Sequence, residues 1–132
     1  MGIRVFFPGN KKVYAEVGGF IVETDQPVRG GGDGTAPAPY DLFLASIATC
    51  AGIYVKGFCD SRGLNAEDIE LYQDLKWDPF KQAPSSIDIQ IRVPKDFPTK
   101  YYDILVNAVN YCAVKKTIQE QPVFNVKTVA KD

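Results

Sequence analysis

The sequence of 132 residues contains no histidine. That absence excludes Ser-His-Asp and Cys-His hydrolases, which need an imidazole to carry a proton, and most zinc sites. Neither sign of charge is in excess, with 15 basic side chains against 16 acidic ones. No basic field draws nucleic acid or an anionic membrane to the surface, so neither is expected as a partner. The opening residues Met-Gly-Ile-Arg-Val-Phe-Phe-Pro hold no long apolar run leading to a cleavage site, and no signal peptide is expected. Phe6 stands where a lipidation motif requires Ser or Thr. Cysteines number three, an odd count that argues against a secreted disulfide framework. A reducing, cytoplasmic setting is expected, where a thiol is either core filler or chemistry. The glycines at 30–34 are not followed by Gly-Lys-Ser/Thr and so do not form a phosphate loop. No cofactor and no metal are expected.

What the chain does have is one dominant stretch, Pro39 to Cys59, which reads as a long helix. Leu42, Phe43, Leu44, Ile47, Ile53, Tyr54, Val55 and Phe58 leave no wide polar stripe, the signature of a helix buried on all sides. Its small polar residues and its length argue against a membrane span. Pro39 suits the first turn, where its missing N–H is not needed, and Asp41 complements the positive end of the helix dipole. Arg62-Gly63 is the expected stop. The run Ala45, Ser46, Ala48, Thr49, Cys50, Ala51, Gly52 is small-sided, so another backbone can approach a thiol closely.

Three strands with tight turns precede this helix: Ile3–Phe7, closed by Pro8-Gly9-Asn10; Val13–Val17; and, after Gly18-Gly19, Phe20–Thr24. They read as an antiparallel meander. Asp25 to Pro39 is rich in glycine and proline and reads as a loop, either functional or a mobile connector. Beyond the helix, Ile69–Trp77 and Ile87–Val93 alternate as strands around a turn at Asp78–Pro84. Thr99 onward fits a helix with Tyr102, Leu105, Val106 and Val109 on one side. Cys112–Ile118 fits a second, short one that Pro122 ends, and Val123–Val129 is read as a last strand. The order βββ-α-ββ-αα-β is an α+β plan, in one domain spanning residues 1–132.

Two motifs within this order resemble the OsmC/Ohr family of thiol-dependent peroxidases. One is the proline-led helix with a cysteine eleven positions on, Pro39 to Cys50, with Leu42 and Ala45 between. The other is the helix-opening Cys112-Ala-Val-Lys-Lys, where the family usually has Cys-Pro-Val-Ser-Lys. Arg62-Gly63-Leu64 also matches, and by element order the resemblance spans essentially the whole chain. It implies an OsmC/Ohr-like α+β fold, with two antiparallel sheet segments around a long buried central helix and an intertwined homodimer with its sites at the subunit boundary.

The resemblance further implies that Cys50 is the peroxidatic thiol and Cys112 the resolving one. Small organic hydroperoxides or hydrogen peroxide would be the substrate, and a thiol or dithiol the reductant. A thiolate attacks the peroxide to give a sulfenic acid, which a second thiol condenses to a disulfide. The family also uses an acid and an arginine. In the organic-hydroperoxide branch a glutamate follows the motif proline, where Tyr40 stands here; other branches carry the acid at the position of Asp41. The activating cation is expected among Arg4, Lys11, Lys12 and Arg29, with Arg29 and Lys11 foremost. Cys59 lies nine positions after Cys50, on the opposite face of the helix and roughly 13 Å along its axis. That is beyond the reach of a disulfide, and Cys59 is read as packing. The alternative function is a non-enzymatic protein of the same fold, with Tyr14, Phe43, Tyr54, Phe58 and Tyr111 walling a pocket for a small apolar ligand.

Overall fold

A computed structural model describes residues 2–131. Its contacts divide into two compact units, residues 1–46 and 47–132. The first contains three antiparallel strands in the order β1-β2-β3: β1 (Arg4–Gly9), β2 (Lys12–Val17) and β3 (Phe20–Thr24). Each predicted strand is present. Val5, Ala15 and Val22 share one register row, and Val17 faces Phe20, so one face of the sheet is apolar. Pro8 is tolerated because β1 is an edge strand that is irregular between Phe6 and Gly9. The apolar face is incompletely covered: Val5 and Phe20 remain exposed.

The glycine-rich loop that follows is held by its first residue. Asp25 is fully buried. Its carboxylate accepts hydrogen bonds from the Gln26 N–H (2.7 Å), the Thr35 N–H (3.1 Å) and the Thr35 hydroxyl (2.7 Å). These donors, the Thr35 hydroxyl foremost, hold the Asp25 carboxyl well below the usual carboxylate range. Gly32 is required for space, since a Cβ there would lie 2.0 Å from the Gln26 carbonyl oxygen. Asp33 ties the loop back to the β1–β2 turn through Lys12 and the Asn10 amide.

Helix α1 (Pro39–Ser61) begins at the expected proline and ends before Gly63, which takes the left-handed conformation. By length and composition it could cross a membrane, a test that the core helix of a soluble protein also passes. Its buried residues form a single stripe, Ile47, Ala51, Val55 and Cys59, at a spacing of four. A single chain fully buries only this stripe. Within one chain Ile53 is 63% exposed, and Tyr40 and Phe43 are also open.

In the second unit β4 (Glu70–Asp78) pairs antiparallel with β5 (Ala83–Arg92). Leu71, Gln73 and Leu75 face Ile91, Ile89 and Ile87, and the polar residues between them point the other way. Helix α2 (Tyr102–Val109) and helix α3 (Ala113–Glu120) follow. Val55, Cys59, Phe97 and Leu105 form the centre of the core, with Leu71, Ile91 and Val109 packed around it. The last predicted strand is corrected: residues 121–131 carry no regular structure, and Val123, Phe124, Val126 and Val129 are largely exposed. Their β-branched and aromatic side chains suit a strand, but a strand exists only where another edge takes its hydrogen bonds.

Candidate active site

Two of the three cysteines come together in the second unit, one from the middle of α1 and one from the start of α3. Tyr111 and Cys112 turn back onto α2 through the bonds Tyr111 N–H to Ala108 (3.2 Å) and Cys112 N–H to Val109 (3.0 Å). Cys112 then opens α3 in extended backbone, its carbonyl accepting from the Lys116 N–H at 3.0 Å. The first N–H groups of a helix have no partner within it. Here those of Ala113 and Val114 lie near enough to the Cys50 sulfur to favour its thiolate.

The Cys112 thiol lies near the same sulfur. Donation from Cys112 and from the Val114 and Ala113 N–H groups outweighs desolvation and lowers the Cys50 pKa below the ordinary thiol value. Cys112 shifts the opposite way: burial comes first, and its bond to Cys50 adds to it. The pair is thus asymmetric. Cys50, half-buried, is the better thiolate, and Cys112, 1% exposed, holds its proton. Both are free thiols. Cys59 is fully buried in the core, and burial pushes its thiol up.

The other sequence-derived candidates belong to the first unit. Asp41 lies in the first turn of α1 and is exposed. Lys11 is exposed at the turn between β1 and β2, and Arg29 in the short helical turn Val28–Gly30. Arg4 pairs with Glu16 at 2.9 Å and Lys12 with Asp33. Among the described residues neither Lys11 nor Arg29 has an ion-pair partner, so these two cations are the uncommitted ones of the four. Within the second unit the donors to Cys50 are a thiol and two backbone amides rather than a lysine or arginine side chain.

Sequence reasoning looked for a side-chain cation and missed the N–H groups of Ala113 and Val114. The signal was present: a cysteine immediately before a helix start places a thiol beside unpaired N–H groups. Of the proposed ligand-binding aromatics, Tyr54, Phe58 and Tyr111 line one open groove of about 780 Å³ between α1 and α2. Tyr14 and Phe43 belong to the first unit. Among the described residues no cluster of His, Cys, Asp or Glu could hold a metal ion.

Fold and site together define an α+β protein that carries a juxtaposed pair of free thiols. The family profile for OsmC-like proteins matches residues 31–127, and the chain belongs to that family. Solved structures share the fold at low identity. An osmotic stress induced and detoxification response protein of Psychrobacter arcticus superposes with a TM-score of 0.72 at 21% identity, covering 87% of this chain and 85% of the other. The organic hydroperoxide resistance protein OsmC of Legionella pneumophila gives 0.55 at 19% identity over 89% and 87%. The organic hydroperoxide resistance protein OhrB of Bacillus subtilis gives 0.51 at 22% identity over 89% and 90%. No curated protein matches the sequence.

Proposed function

We propose that the protein is a thiol-dependent peroxidase that reduces organic hydroperoxides or hydrogen peroxide through Cys50 and Cys112. The observation that carries this reading is the convergence of the Cys112 thiol and two helix N–H groups on the Cys50 sulfur. The Cys50 thiolate attacks the outer peroxide oxygen and the O–O bond breaks. The leaving alkoxide takes a proton and departs as alcohol, and Cys50 becomes a sulfenic acid. Cys112 would give that proton. As a thiolate it then attacks the Cys50 sulfur, the S–S bond forms, and the sulfenic oxygen leaves as water after one further proton. A thiol or dithiol reductant in a reducing compartment such as the cytoplasm would restore both thiols.

Arg29 and Lys11 are proposed as the cations that assist Cys50 and orient the peroxide, and Asp41 as the acid that positions them. Family membership and the two hydroperoxide resistance relatives support the substrate class. A homodimer is proposed as the working form. Its support is the apolar surface that a single chain leaves open on α1, on the first sheet and at residues 123–129. In light scattering, a particle clearly above the 14.6 kDa chain mass is expected at micromolar concentration, and a monomer would contradict the dimer.

The direct test is stoichiometric oxidation. One equivalent of cumene hydroperoxide should consume the thiols of Cys50 and Cys112, and peptide mapping should join those two residues. Thiol loss that maps to Cys59, or no reaction, would overturn the assignment. The α1–α2 groove favours a second reading, a non-enzymatic protein that binds a small apolar ligand between Tyr54, Phe58 and Tyr111. That reading predicts no thiol loss under the same conditions.

A further inference from the structure

Apart from the thiols and the open groove, the second unit contains a cavity of about 360 Å³. Its walls are the inward isoleucines of β5 (Ile87, Ile89 and Ile91), with Ile47 of α1 and Ile118 of α3. Neither Cys50 nor Cys112 lines it. The volume falls within the range of small-molecule sites, and such sites are mostly apolar with a few convergent polar groups.

Here the polar groups are Asn110, Lys115 and Gln119. They cluster. The Lys115 ammonium donates to the Asn110 side-chain oxygen at 2.8 Å, and Gln119 lies one turn on from Lys115 along α3. The lysine is half-buried. Among the described residues the ion pairs do not include it, so its partner is a neutral amide rather than a carboxylate. An ammonium has three donors, and those not given to Asn110 stand beside an isoleucine-lined hollow. A cation without a counter-charge at the rim of the hollow favours an anion, and the branched aliphatic walls favour a hydrocarbon tail.

We propose that this cavity is a binding site for an aliphatic monocarboxylate, its carboxylate on Lys115, Asn110 and Gln119 and its chain against Ile87, Ile89 and Ile91. Binding needs no thiol chemistry, and it is tested on the Cys50→Ser protein so that failure of the peroxidase reading leaves the outcome untouched. The probes are decanoate, decanol and acetate, followed by calorimetry and amide chemical shifts. Decanoate is expected to bind with shifts centred on β5 and α3, and acetate not to bind. Decanol should bind about tenfold more weakly than decanoate, and Lys115→Gln should weaken decanoate by a similar factor. Added salt should weaken decanoate in the parent protein more than in Lys115→Gln. Lys115 reaches the surface, so its substitution leaves the core intact. Equal affinity for decanoate and decanol would overturn the proposal. So would an unchanged Lys115→Gln affinity, shifts confined to the α1–α2 groove, or no binding because a second copy of the chain fills the cavity.

Discussion

Cys50 and Cys59 sit on one helix, yet their surroundings drive their thiols in opposite directions. Cys59 belongs to the buried stripe of α1: Val55, Phe97 and Leu105 form the core around it, and desolvation, with the nearby Asp60 charge adding to it and Lys56 opposing, raises its pKa. Cys50 is also desolvated, but a thiol and two helix N–H groups outweigh that effect. The contrast teaches that reactivity here does not follow from burial or from the helix that carries the residue. It follows from what the neighbouring element presents, and α3 presents its unpaired N–H groups.

The comparison breaks most visibly in activity. Cys50→Ser should reduce hydroperoxide consumption to background in a coupled peroxidase assay, whereas Cys59→Ser should keep it near the parent rate. Loss of activity in Cys59→Ser at a temperature where it is folded would show that the two thiols are not separate. The next effect is on stability. Leu105 is 2% exposed and packs in the cluster around Cys59. Leu105→Ala should lower the unfolding free energy by about 2–5 kcal/mol, read by urea titration. It should also quicken alkylation of Cys59 more than that of Cys50. A smaller and more local effect is expected from Cys112→Ala. It removes the strongest donor to Cys50, so the Cys50 titration should move up towards the ordinary thiol value while Cys59 stays where it is.

Much of the fold was legible because its signals are local. The alternation Ile87, Ile89, Ile91 fixes a strand face regardless of what lies opposite, and Pro39 and Gly63 bound α1 by their own backbone preferences. What escaped depends on distant residues. Asp25 organises a loop through Thr35, ten positions away, and glycine content alone does not separate an ordered loop from a mobile one. Val123–Val129 has the β-branched and aromatic composition of a strand, but composition does not supply a partner edge. The apolar faces of α1 read as buried because composition reports an affinity for packing, not whether the same chain provides the packing. At the site, the cysteine pair was legible from its motifs. The agents that lower the Cys50 pKa are backbone amides, which every residue has, and their aim is set by the Tyr111–Cys112 turn.

The most direct test is site-resolved alkylation by iodoacetamide as a function of pH, read by mass spectrometry at Cys50 and Cys59 in the same protein. The account predicts a Cys50 midpoint below the ordinary thiol value of 9.0 and a Cys59 midpoint above it, with Cys112→Ala raising the first and leaving the second unmoved. Equal midpoints at the two residues, or a Cys50 midpoint at or above 9.0 that Cys112→Ala does not shift, would contradict it.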